Sequence, residues 1–196
     1  MRTSQSTVNF KLVDNPDSCL QLTAKEGIIL CTGASPSKPS DIEGIDQVDY
    51  LTTETIWGLE TLPDRLTIIG GGPVGCEMAQ AFSRLGSKVT IIATQLLPLE
   101  DPAAGAVLEK VFAAEGITLD RGRASKVSSD GKTQIVTVSD ADEIVAGDKL
   151  LVALGRTPRT HGMGLIEVGI DLTPQGGIKV DDKLRTSEKG VNAAGD

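Results

Sequence analysis

The chain has little of what nucleic-acid binders and metal sites are made from. Its 196 residues include one histidine and five aromatic side chains: one Trp, one Tyr and three Phe. So few rings cannot build base-stacking platforms. Lysine and arginine number 19 against 27 aspartate and glutamate, a formal net charge of −8, so a broad basic face for a polyanion is excluded too. The single His161 cannot form a histidine-based metal cluster, and between Thr160 and Gly162 it reads as a surface loop residue. No metal site is expected. Cysteine is also scarce. Cys19, Cys31 and Cys76 follow no close-paired spacing, which suits neither a disulfide framework nor a zinc site. Small buried or half-buried thiols are the expectation for all three. No apolar run approaches the ~20 residues of a membrane helix, and the N-terminus lacks the apolar stretch of a signal peptide. The expectation is a soluble, cytoplasmic protein with no nucleic-acid and no membrane partner.

Apolar residues, at 39%, suffice for a buried core. Glycine is the outlier, with 22 residues, and its placement punctuates a recognisable pattern. Residues 26–31 form an apolar run that ends in Thr32-Gly33-Ala34. Residues 66–69, rich in β-branched side chains, read as a buried strand. Val74, Met78, Phe82 and Leu85 then recur at helical spacing and stop at Gly86. Residues 88–93 give another strand. Asp101-Pro102 supplies a cap and a first-turn proline for a second helix, whose apolar stripe is Leu108, Val111 and Phe112 and which Gly116 ends.

Residues 124–128, 133–138 and 143–145 look like short antiparallel strands, with Asp130-Gly131 as a hairpin turn. A buried strand at 149–154 follows. The predicted fold class is α/β: a doubly wound, Rossmann-type parallel sheet with a three-stranded antiparallel β-meander. Both ends read as cut, because the chain stops at an apolar strand running into Gly195-Asp196.

The densest signal is Gly70-x-Gly72-x-x-Gly75, directly after a strand and before a helix. Dinucleotide binding asks for glycine there three times: for the tight turn, for backbone approach to a pyrophosphate, and for close helix–strand packing. The helix N-terminus adds unpaired N–H groups and partial positive charge. A purely structural glycine turn is the alternative. The usual companion is a carboxylate at the end of the next strand, holding the adenosine ribose. This chain has none between Met78 and Leu99. Its strand ends in Ala93-Thr94, so nothing there repels a 2′-phosphate, and NADP is favoured over NAD. No arginine stands in that loop either. Thr94 and Gln95 could donate to a phosphate or to a plain ribose. Glu77 reads as a first-turn residue, either a carboxylate favoured by the helix dipole or a group near the nicotinamide.

Four motifs occur in one order: TGA at 32–34, GGGPVGCE at 70–77, LGRTP at 154–158 and AGD at 194–196. This arrangement resembles the class I pyridine nucleotide-disulfide oxidoreductases, the flavoproteins that include dihydrolipoamide dehydrogenase, glutathione reductase and mercuric reductase. The stretches at 86–90 and 101–103, and the strand ending in Ala93, are most similar to the mercuric reductase branch. That branch usually carries arginine where Thr94 stands and asparagine where Arg159 stands.

The resemblance implies an NAD(P)-binding domain at 49–155 inserted into an FAD-binding domain, of which 1–48 and 156–196 would be partial strands. It implies pyridine-nucleotide contacts from Gly70, Gly71, Gly72, Pro73, Val74, Gly75, Cys76, Glu77, Ala93, Thr94, Val127 and Gly155. FAD contacts would come from Thr32, Gly33, Ala34 and Asp196. Glu77 would pair with a lysine near the flavin, which this chain does not contain. An intact relative, expected to be a homodimer, would pass hydride from NADPH to FAD and electrons on to a cysteine pair and Hg(II) or a disulfide. The first FAD glycine loop, the CxxxxC pair and the C-terminal domain with its His-Glu have no counterpart in these residues. The chain therefore carries no catalytic residue of that cycle. By itself it is expected to bind NADPH, hold no flavin and be inactive. A dihydrolipoamide dehydrogenase or soluble transhydrogenase relative using NAD stays open, as does a non-catalytic nucleotide-binding module.

Overall fold

Strands buried on both faces organise the larger part of the molecule. The computed structural model describes residues 6–12, 15–138 and 143–195. They fall into two compact units: Pro36–Arg156, and Met1–Ser35 together with Thr157–Asp196. In the larger unit, β1 (Arg65–Ile69) runs into helix α1 (Pro73–Leu85), followed by β2 (Lys88–Ile92), α2 (Pro102–Ala114) and β3 (Thr118–Asp120). A meander of β4 (Ala124–Ser129), β5 (Gln134–Val138) and β6 (Glu143–Gly147) leads to β7 (Lys149–Val152). The parallel sheet has the order β7-β1-β2-β3, and the meander is a separate antiparallel sheet.

Side-chain alternation along the strands explains the layering. Leu66, Ile68, Val89, Ile91 and Leu151 share one apolar cluster with Cys76 and Ala79 of α1 and Phe112 of α2. Their neighbours Ile69, Ile92, Leu150 and Val152 share another with Val127, Val136 and Val138 of the meander. The sheet thus has helices over one face and the meander over the other. That accounts for strands reading as continuous apolar runs rather than alternating ones.

The helices begin and end as their punctuation predicts. Pro73 starts α1, and Gly86 closes it at φ 113°. Asp101 caps α2 by accepting from the Ala103 N–H at 2.8 Å. The buried face of α1 is a correction. Gly75, Cys76 and Ala79 are its buried residues, with Met78 and Phe82 half-buried beside them. Val74 and Leu85, expected in the apolar stripe, are 36% and 67% exposed. The helix lies so close to the sheet that only small side chains fit between, which moves the larger ones to the margin.

The meander turns where Asp130 accepts from the N–H groups of Lys132 and Thr133 at 2.9 and 2.8 Å. Residues 36–48 also pack within this unit. Ile42 and Ile45 join the meander-side cluster, the Glu43 N–H donates to Ser125, and the Val127 N–H donates to Glu43. These contacts agree with the division of the compact units at 35/36 and 156/157.

The smaller unit contains an antiparallel hairpin, Ser6–Leu12 with Asn15–Ala24, which the sequence pattern did not reveal. It also contains a parallel pair, Ile28–Leu30 with Val191–Ala193. Leu165, Ile170 and Val191 form its core.

Candidate nucleotide-binding site

Strand register builds the site. Ile69 pairs with Ile92 and with Val152, and Ile92 pairs with Asp120. The C-terminal ends of β1, β2, β3 and β7 therefore line up along one edge of the sheet. The loops that follow them, at 70–72, 93–98, 121–123 and 153–155, converge there. In an open α/β sheet this edge is where ligands bind, at the point where strand order reverses. Here the reversal lies between β1 and β7.

Two adjoining clefts occupy that edge and share Gly70, Gly71, Pro98 and Leu154. One, of about 210 Å³, is lined by Ala93, Thr94, Gln95, Gly122, Arg123, Ala124 and Asp41 among others. The second, of about 410 Å³, is lined by Gly72, Pro73, Val74, Ala153, Gly155 and Arg156 among others. A dinucleotide laid across the glycine loop would place one half in each.

The loop itself fits a pyrophosphate. A Cβ on Gly75 would come within 2.0 Å of the Gly70 carbonyl oxygen, so this glycine serves the close packing of α1. Gly72 is different. A Cβ there would meet nothing within 4 Å, and its φ of −70° suits any residue. Packing gives no reason for glycine at that position, which is the N-cap at the N-terminus of α1. That N-terminus receives no side-chain cap, which leaves its first N–H groups for an anion.

A hydrogen-bonded floor holds the loop. The Gly71 carbonyl accepts from the Leu97 N–H at 2.7 Å and from the Cys76 thiol at 3.3 Å. Leu97 sits in the left-handed region at φ 50°, a conformation that costs a leucine energy and that this bond helps to hold. Burial pushes the Cys76 thiol up, with the Leu97 backbone pulling the other way and the Glu77 carboxylate adding to the rise. Cys76 is thus a protonated structural thiol beneath the loop.

The expected residues separate by position. Gly70, Gly71, Gly72, Pro73, Val74, Ala93, Thr94 and Gly155 line the clefts. Gly75 and Cys76 lie buried behind them. Glu77 is exposed and is the fifth residue of α1. It belongs to the second turn rather than the first, past the reach of most of the dipole effect. Val127 is 2% exposed and packs in the meander-side core, while Ala124 of the same strand lines the smaller cleft.

In the other unit, Thr32 and Gly33 line a groove of about 280 Å³ with Gly177, Ala194 and Gly195, and Ala34 is buried. Asp196 lies outside the described residues. That volume is below the ~300–1,000 Å³ of enclosing ligand sites, too small to enclose a whole flavin dinucleotide. Cys31 is exposed, contrary to the expectation of a buried or half-buried thiol, and the Cys19 side chain lies outside the described set. His161 is exposed.

Sequence reasoning missed Asp41 and Arg123. Arg121-Gly122-Arg123 follows β3 directly, and only the pairing of β3 with β2 brings it beside Ala93. The available signal was a basic-Gly-basic triplet at the end of a strand that had to lie next to β2.

Comparison with known proteins agrees with this architecture. The chain is 42% identical over 172 residues to mercuric reductase of Streptomyces lividans, covering 86% of this chain and 36% of that protein. It is 39% identical over 176 residues to NAD(P)H dehydrogenase (quinone) of Mycobacterium tuberculosis, covering 86% and 34%. The crystal structure of LpdA from Mycobacterium tuberculosis superposes with a TM-score of 0.85 at 34% identity, over 99% of this chain and 42% of that one. The chain thus spans about a third of the length of these curated relatives. The family described as pyridine nucleotide-disulphide oxidoreductase matches residues 5–196, and the chain belongs to it.

Proposed function

We propose that this chain is the NADP(H)-binding core of an FAD-dependent oxidoreductase of the mercuric reductase type. The observation that carries the reading is Gly72, a glycine with no neighbour to accommodate, set before an uncapped helix and lining the larger cleft. The missing carboxylate at the end of β2 supports NADP(H) over NAD(H). Ala93, 8% exposed, offers only a methyl group where a ribose-binding acid would stand. When bound, the nucleotide supplies the hydride and FAD the electron relay.

The residues of this chain bind and orient. The loop N–H groups and the α1 dipole hold the pyrophosphate, which fixes the nicotinamide half along the cleft beside Val74 and Gly155. Thr32, Gly33, Ala34 and Asp196 are proposed to contact FAD in the longer protein.

The test is rapid mixing of the intact, FAD-loaded protein with NADPH, reading bleaching of the flavin band, followed by addition of Hg(II) or a quinone. Flavin reduction by NADPH and reoxidation dependent on Hg(II) and a cysteine pair are expected. Reoxidation by quinone alone would reassign the acceptor, in keeping with the name of the mycobacterial relative. Failure of NADPH to reduce the flavin would overturn the reading.

A further inference from the structure

We infer that Arg123 is the residue that reads the 2′-phosphate of NADP(H). This rests on the proposal above that the two clefts hold a dinucleotide. The smaller cleft lies at the ends of β2 and β3, where the adenosine half would sit, and Arg123 lines it together with Ala93, Thr94 and Gln95. The parallel pairing Ile92↔Asp120 sets residues 121–123 alongside 93–95, so a cation from one loop serves a phosphate held on the other. The 93–98 loop carries no charge of its own. Lys88 stands at the opposite end of β2, paired with Arg65, and cannot reach. A guanidinium offers a planar fork of donors that matches phosphate oxygens.

Arg121 has a different task. Its Nη2 donates to the Glu109 carboxylate at 2.7 Å and its Nη1 to the Thr94 carbonyl at 3.3 Å. Glu109 balances its charge, so Arg121 braces the loop after β2 and is a positioning residue. Asp41 lines the same cleft as Arg123, and its carboxylate opposes a phosphate. The 2′-phosphate is therefore read as a balance between the two, and removing Asp41 tightens NADPH.

The experiment is calorimetry on the chain with NADPH, NADH, 2′,5′-ADP and 5′-AMP at low ionic strength, for wild type, Arg123→Gln, Arg123→Lys and Arg121→Gln. Arg123 is exposed, and thermal melting of each variant separates a loss of fold from a loss of binding. Arg123→Gln is expected to weaken NADPH and 2′,5′-ADP at least roughly tenfold, about 1.4 kcal/mol, while NADH and 5′-AMP stay within about twofold. Arg123→Lys falls between. Arg121→Gln weakens phosphorylated and plain nucleotides alike.

The inference is overturned if wild type prefers NADPH and Arg123→Gln leaves that preference intact. It is also overturned if Arg123→Gln weakens NADPH and NADH equally, or if wild type binds both equally. Binding of neither by wild type would overturn the dinucleotide reading and this inference with it.

Discussion

The Cys76 thiol shows how one side chain can support a site without taking part in its chemistry. It is 4% exposed, donates to the Gly71 carbonyl and has its ionisation disfavoured by burial. A thiol must ionise to act as a nucleophile, so at neutral pH Cys76 is inert while the fold is intact. Cys31, by contrast, is exposed. Iodoacetamide at pH 7 is expected to modify Cys31 in the native chain and Cys76 only after denaturation, read by mass spectrometry of the two peptides. Prompt alkylation of native Cys76 would contradict the buried thiol.

Legibility at this scale follows distance along the chain. The cleft-lining places of Gly70, Gly71, Gly72, Pro73 and Ala93 were readable because they depend on neighbours within a few residues. Arg123 and Asp41 were not readable, because strand pairing and the 36–48 segment bring them to the cleft.

At the scale of elements, the strand–loop–helix unit separates two kinds of glycine that look identical in the motif. Gly75 is required by packing, whereas packing places no such demand on Gly72, which the proposed function assigns to a ligand. Gly75→Ala sets a methyl 2.0 Å from the Gly70 carbonyl oxygen, so the helix or the loop must shift. Both the melting temperature and nucleotide affinity should fall. Gly72→Ala faces open space and changes a cap position, so its effect on stability should stay below about 1 kcal/mol. Nucleotide affinity should nevertheless drop at least roughly tenfold, about 1.4 kcal/mol. Paired melting and calorimetry of the two variants read the difference. A Gly72→Ala chain that binds as well as wild type would remove the argument for a pyrophosphate at this loop. The misread face of α1 has the same origin. Periodicity finds large apolar residues, while close helix–sheet contact selects Gly75, Cys76 and Ala79, which hydropathy patterns barely register.

At the scale of the molecule, the four-stranded parallel sheet and its meander were legible, because continuous apolar runs alternating with capped helices admit few other arrangements. The hairpin of Ser6–Leu12 with Asn15–Ala24 was not. Neither was the place of residues 36–48, whose Ile42 and Ile45 carry no periodic signature. The larger unit has its own two-sided core, and every residue lining the two clefts lies within it. Nucleotide recognition should therefore be a property of that unit.

The most direct measurement is calorimetric titration of the 196-residue chain with NADPH and with NADH. The account predicts binding of both, with NADPH tighter by at least roughly tenfold, or about 1.4 kcal/mol. Tighter binding of NADH, or binding of neither, would contradict it.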